Sequence, residues 1–219
     1  MGKLILQRAC FPESATAQTI NRFCSSGLQA IATAANAIAC GEEEIMVAGG
    51  VESMSMVSMM PDDAYSDPWL KENWPDAYIH MGITAENVAT EYGISRSEMD
   101  EFAVESHRRA TQAKEAGYFA AQIVPVGAQD ETGQIIQVLE DEGIRPNTNK
   151  ERLAELKPAF LENGTVTAAT SSQMTDGASF VVLMSREAAE ARGIQPIARF
   201  ISFATAGVPA RLMGIGPIE

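Results

Sequence analysis

Asn21-Arg22-Phe23-Cys24-Ser25-Ser26-Gly27-Leu28-Gln29-Ala30-Ile31 is the stretch that decides how this chain is read. A cysteine stands where the extended run 17–23 gives way to small residues. Beyond them, Leu28, Ile31, Ala34, Ala35 and Ile38 recur at the spacing of one helix face. The first N–H groups of a helix have no internal partner and carry a partial positive charge. A thiolate placed there is stabilised, its pKa falls, and it becomes a nucleophile near neutral pH. Ser25 and Ser26 suit the N-cap, and Gly27 admits a ligand or a second backbone at close range. The same cysteine also reads as a small buried hydrophobe, the common state of a free thiol. Local sequence leaves both readings open.

Working outward, residues 17–23 read as a strand, 26–40 as a helix closed by Gly41, and 45–48 as a short buried strand. This is a strand–helix–strand unit. Its strands are expected to be parallel with a right-handed crossover, which places Cys24 at the carboxyl end of the first strand, where open α/β sheets bind ligands. From residue 54 the character changes. Prolines, methionines and polar residues dominate 58–76, and Met54, Met56, Met59 and Met60 read as flexible packing. Thr84 opens a short helix that ends near Gly93. Ser95-x-x-Glu98 forms a capping box for a helix running to Ala116, stopped by Gly117 and Tyr118. Residues 123–126 and 135–139 read as a hairpin about Asp130-Glu131-Thr132-Gly133. Strands at 178–184 and 197–204 flank a helix at 186–192. The fold class is therefore α/β, with a long insertion between sheet strands.

The motifs then acquire a common likeness. Residues 20–38 resemble the acyl-enzyme cysteine signature of thiolases, the acetyl-CoA C-acyltransferases. Ala48-Gly49-Gly50-Val51-Glu52-Ser53, His80-Met81-Gly82-Ile83-Thr84-Ala85-Glu86-Asn87, Arg145-Pro146 and Leu156-Lys157-Pro158-Ala159-Phe160 follow in the family's order. So do Asn163-Gly164-Thr165-Val166-Thr167-Ala168, Ser171-Ser172, Thr175-Asp176-Gly177-Ala178 and Met213-Gly214-Ile215-Gly216-Pro217. The resemblance implies a thiolase-like mixed sheet with flanking helices and an inserted α+β loop domain. It sets 1–53 as part of the N-terminal thiolase domain, 54–168 as the CoA-binding loop domain and 169–219 as the remainder of the N-terminal domain. It also implies an internal piece of a longer thiolase, because the family's Asn-Glu-Ala-Phe, Gly-His-Pro and Cys-x-Gly-Gly motifs do not occur in these residues.

By this resemblance Cys24 is the catalytic nucleophile. It would cleave 3-ketoacyl-CoA with CoA to acetyl-CoA and a shortened acyl-CoA, as in fatty-acid β-oxidation. The segment 56–78 looks closer to these degradative enzymes than to biosynthetic acetoacetyl-CoA thiolases, which remain the alternative, as does a CoA-binding piece without turnover. His80 and Met81 would meet the thioester end of pantetheine, Arg145 the adenine–phosphate end of CoA, the Ser172 hydroxyl would hydrogen-bond pantetheine, and Ala168 and Ala169 would line the same groove. Arg152 stands where the family has a contact serine, which puts that contact in doubt. His107 reads as part of a solvated helix face, and Asp176-Gly177 as a structural turn.

Composition sets outer bounds. A net charge of −13 and an isoelectric point near 4.6 argue against nucleic acid or an anionic membrane as partner. They leave CoA open, since a few local cations suffice for a phosphate. Cys10, Cys24 and Cys40 show neither disulfide nor metal spacing, which suits a reducing, cytoplasmic setting. No signal peptide and no membrane-length apolar run is read in the sequence. No metal and no cofactor is expected beyond CoA as substrate, and the family implies a homodimer or tetramer.

Overall fold

The computed structural model describes residues 1–57, 59, 65–130 and 132–219. Met60, part of segment 58–76, and Glu131 of the hairpin turn lie outside the described residues. In chain order the elements are α1 (Gly2–Arg8), α2 (Ser26–Ala39), β1 (Ile45–Glu52), α3 (Pro68–Asn73), α4 (Met81–Tyr92), α5 (Arg96–Glu115), β2 (Val126–Gln129), β3 (Ile135–Val138), α6 (Lys150–Ala154), β4 (Gly177–Met184) and α7 (Arg186–Ala191). Short 3₁₀ turns occupy Pro75–Tyr78, Ala168–Thr170 and Ala210–Ile218. The chain divides into two compact units, 1–60 with 174–205 and 61–173 with 206–219.

In the first unit β1 and β4 pair antiparallel from Ile45↔Met184 to Glu52↔Gly177. The pleat sends alternate residues to opposite faces. Helix α2 packs on this pair and buries Ala32 and Ala34. Small residues permit the close approach: a Cβ on Gly50 would lie 3.9 Å from the Cα of Gly27. Gly49 is more constrained, since a Cβ there would come within 2.2 Å of the Ser179 carbonyl oxygen and 2.4 Å of the Phe180 ring. Asp176 fastens the two strand ends, accepting the Ser55 amide at 2.8 Å and the Ser55 hydroxyl. The Ser55 hydroxyl and amide hold its carboxyl below the usual carboxylate value. The turn reading of Asp176-Gly177 thus acquires a definite partner.

Two expected strands do not form. Residues 17–23 join no ladder among the described residues, and the run ends in a turn at Phe23. The run is tied instead at Thr19, whose hydroxyl accepts the Gly2 amide at 2.8 Å. The parallel strand–helix–strand unit is therefore replaced by the antiparallel β1–β4 pair. Residues 197–204 likewise run without regular pairing. A strand exists only through its partner, which a single segment's composition does not reveal. Met56 and Met59 are exposed, so they are not packing residues within this chain.

In the second unit the helix limits follow their caps. The capping box of α5 is complete, with Ser95 and Glu98 bonded reciprocally. Helix α4 begins at Met81 with His80 as its cap and ends at Gly93, whose φ of 65° is left-handed. Strands β2 and β3 form the expected hairpin, Val126↔Val138 to Gln129↔Ile135. Its turn is closed by the Asp130 carboxylate, which accepts the amides of Thr132 and Gln134. The segment 206–219 groups with this unit: its 3₁₀ turns pack on α4, Asn87 donates to the Arg211 carbonyl, and Arg211 pairs with Glu91 at 2.7 Å.

Candidate active site

Cys24 lies just before α2, in a turn with its own hydrogen bonds. The Asn21 carboxamide oxygen accepts the Phe23 amide at 2.8 Å. The Ser26 hydroxyl accepts the Arg22 amide at 2.8 Å and donates to the Phe23 carbonyl at 2.7 Å. These bonds hold Phe23 at φ 46°, an uncommon conformation for a residue with a bulky side chain. Such strain concentrates at functional turns. Cys24 is exposed, which excludes the buried-hydrophobe reading. Ser25 occupies the N-cap position, but neither serine caps the helix: Ser25 makes no cap bond, and the Ser26 hydroxyl points back along the turn. By contrast α4, α5, α6 and α7 each have a side-chain cap. The first turn of α2, which follows Cys24 closely in the chain, therefore has no side-chain cap on its backbone donors. At the other end of the same helix Cys40 is the C-cap residue, also exposed.

The second unit assembles a different set. Helix α5 is its scaffold. The Arg96 Nε donates to both Asp100 carboxylate oxygens, at 2.9 and 3.0 Å, and its Nη2 donates to the carbonyls of Leu153 and Leu156. Lys150 pairs with Glu101. These contacts fix the α6 end against α5, and two clefts open beside Leu153. One, of about 320 Å³, is lined by His107, Arg145, Thr148, Ala168, Ala169, Ser171 and neighbouring residues. The other, of about 340 Å³, is lined by residues 144–148 with Arg152 and Leu153. They share Arg145, Thr148 and Leu153.

Of the residues expected from sequence, Arg145, Ala168 and Ala169 converge on one cleft. Ser172 is exposed and does not line it; its neighbour Ser171 does, with its hydroxyl bonded to the Thr167 carbonyl at 2.7 Å. His80 and Met81 stand apart from both clefts. The Nδ1 atom of His80 accepts the Gly82 amide at 3.0 Å, and its ring lies 5.4 Å from that of Phe160. Gly82 is required for this contact, since a Cβ there would come 2.2 Å from the Phe160 ring.

His107 is the residue that sequence reasoning missed. Reading it as a solvated face is incorrect: it is half-buried, lines the cleft, and its Nδ1 accepts the Arg145 amide at 3.1 Å. Helical periodicity locates it on a face but says nothing of a loop that returns 38 residues later. We expect His107→Leu to free that amide and speed its hydrogen exchange about fivefold to tenfold, the worth of one ordinary hydrogen bond. Unchanged exchange at Arg145 would show the loop to be held by other contacts.

Glu86 supports the same region from below. It is buried, and it accepts the Thr165 amide at 2.9 Å, the Thr165 hydroxyl at 2.8 Å and the Val166 amide at 2.8 Å. Burial alone would raise its pKa. The Thr165 and Val166 donors outweigh burial and hold the carboxyl below its usual value. They thereby fix the strand-like approach to Ala168 and Ala169.

Among the described residues no cluster of histidine, cysteine and carboxylates is arranged to hold a metal ion, and no helix is long and apolar enough to cross a membrane.

Comparison with known proteins agrees with the motif order. Residues 3–187 match the thiolase N-terminal domain. The 3-ketoacyl-CoA thiolase of Bacillus subtilis is 47% identical over all of this chain and 58% of its own length. The acetyl-CoA acetyltransferase of Rhizobium meliloti is 43% identical over 96% of this chain and 56% of its own. The crystal structure of the dimeric peroxisomal thiolase of Saccharomyces cerevisiae superposes with a TM-score of 0.90 at 39% identity, covering 98% of this chain and 55% of that one. The chain thus spans a little over half the length of the relatives it matches. With the family's domain matched across most of its residues, this chain belongs to the thiolase family.

Proposed function

We propose that these residues supply the nucleophile and the CoA groove of a thiolase that cleaves 3-ketoacyl-CoA. The observation that carries this reading is Cys24, exposed at the uncapped start of α2 behind a left-handed Phe23. In the proposed reaction the Cys24 thiolate attacks the 3-keto carbon. The C2–C3 bond breaks, and acetyl-CoA departs as its enolate, which is then protonated. The acyl group, held as a thioester on Sγ, passes to the thiol of a second CoA. The α2 backbone donors suit an oxyanion developing beside the thiol. The two clefts suit CoA: guanidiniums line one, while His107, Ala168, Ala169 and Ser171 offer a mostly uncharged wall for pantetheine in the other. His80, Met81 and Ser172 are assigned to pantetheine by resemblance.

The degradative direction, a cytoplasmic setting, the absence of a metal or cofactor beyond CoA, and a homodimeric or tetrameric whole enzyme belong to the same proposal. The Bacillus relative's name supports the degradative reading and the Rhizobium name the biosynthetic one.

The test is acetyl transfer. The chain is incubated with acetyl-CoA at alkaline pH, where a thiolate forms without a protein base, and digested for mass spectrometry. Acetyl is expected on the Cys24 peptide ahead of Cys10 and Cys40, because Cys24 stands exposed at the uncapped start of α2, whose backbone donors suit the oxyanion of acyl transfer. Equal or preferential labelling of Cys10 or Cys40 would overturn the assignment.

A further inference from the structure

We infer that Arg152 and Arg145 together form a reading site for the terminal phosphate monoester of CoA, so that this chain distinguishes CoA from its dephosphorylated form. The inference rests on the CoA reading above. Both residues line the same cleft, with Thr148 and Asn147 between them in the wall. Neither guanidinium takes part in an ion pair with any carboxylate among the described residues, whereas Arg96, Arg108, Arg109 and Arg211 are all paired. Both are exposed in that cleft, and in a chain of net charge −13 two guanidiniums without a carboxylate partner give it a local positive charge suited to an anion.

The chemistry favours a monoester. A phosphate monoester carries about −1.5 to −2 charges on three oxygens, which calls for two cations. Arginine meets it with a planar fork of donors that lysine does not offer. The backbone holds both residues. The Arg145 amide is fixed by His107 Nδ1, and the Arg152 amide is fixed by the Asn149 side chain at 3.0 Å. Both side chains are therefore free to engage a ligand while their Cα positions are set. Arg152 stands where the thiolase resemblance places a serine, so the second guanidinium is a feature of this chain.

The experiment measures binding of CoA, 3′-dephospho-CoA and pantetheine to the full chain and to Arg152→Ser and Arg152→Lys, with circular dichroism confirming that each variant is folded. We expect Arg152→Ser to weaken CoA about threefold to tenfold, an effect of the size of one exposed charged contact, while dephospho-CoA and pantetheine are unchanged. Arg152→Lys should restore part of the loss, and the CoA preference should shrink as salt is added. Two results overturn the inference and leave the CoA reading standing: CoA binding that is indifferent to Arg152→Ser, or an equal loss for CoA and dephospho-CoA. If neither CoA nor pantetheine binds the parent chain, both readings fail together.

Discussion

Assayed by itself with acetoacetyl-CoA and CoA, the 219-residue chain is expected to show thiolysis at the background rate. A cysteine nucleophile in acyl transfer needs a base to take its proton, and a positioned general base contributes about 10²–10⁴ in rate. The chain has two histidines, His80 and His107, and neither belongs to the unit that carries Cys24. Each also has its Nδ1 committed to a backbone amide, of Gly82 and of Arg145 respectively. The Gly-His-Pro histidine implied by the family resemblance has no counterpart in these residues. Loss of the thioester-enolate absorbance of acetoacetyl-CoA, followed with and without the chain, decides the matter. Turnover comparable to that of a complete thiolase would show that some group here serves as the base.

The largest effect on stability is expected at Glu86. Replacing it with alanine leaves two backbone amides and a hydroxyl without their acceptor, all at the Thr165–Val166 step, where Val166 is buried and Thr165 half-buried. A buried donor left unpaired costs about 1–3 kcal/mol and a half-buried one less, so a loss of about 2–4 kcal/mol in the second unit is expected. Glu86→Gln keeps one acceptor oxygen but turns an NH₂ toward a donor, and should lie between. The pH dependence has a definite sign. Because the folded-state pKa is depressed, the stabilisation is fully present above the ordinary value of 4.5 and disappears as pH falls through the lower folded value. Urea denaturation at neutral pH and in the acid range checks both points. The Ala variant should lose less stability on acidification than the parent, and an identical acid loss in the two would show that other carboxylates govern it.

Much of this was legible in the sequence wherever a local rule was complete. Ser95 and Glu98 specify both ends of a capping box, Gly93 supplies a left-handed stop, and Asp130 to Gly133 contain the residues a tight turn needs. Failure came where structure depends on a distant partner. The run 17–23 has the composition of a strand, and among the described residues none pairs with it in a ladder. Strand β1 finds its partner 125 residues later at one end of the ladder, from Glu52 to Gly177. The site divides in the same way. Arg145, Ala168 and Ala169 were identified by their motifs and do meet in one cleft, whereas His107 was missed because its role is set by a loop it meets in space. Ser172 was chosen from a Ser-Ser pair whose first member, Ser171, is the one that faces the cleft.

The β1–β4 ladder has a consequence for how the chain reaches its native state. Its two strands enclose the greater part of the second unit, so the sheet closes only after a very long excursion of the chain. Closure entropy grows with the logarithm of loop length, about 0.6 kcal/mol for each doubling, and long-range pairing slows folding more than it weakens the product. If the enclosed segment condenses first, its ends become neighbours and the excursion is shortened to a bridge. The capped helices α4 and α5, rich in local contacts, are the elements suited to forming early. During synthesis β1 emerges well before β4, with Val47 and Val51 on its open side. Until the later strand arrives it is an unpaired edge, and a chaperone or a second nascent chain competes for it.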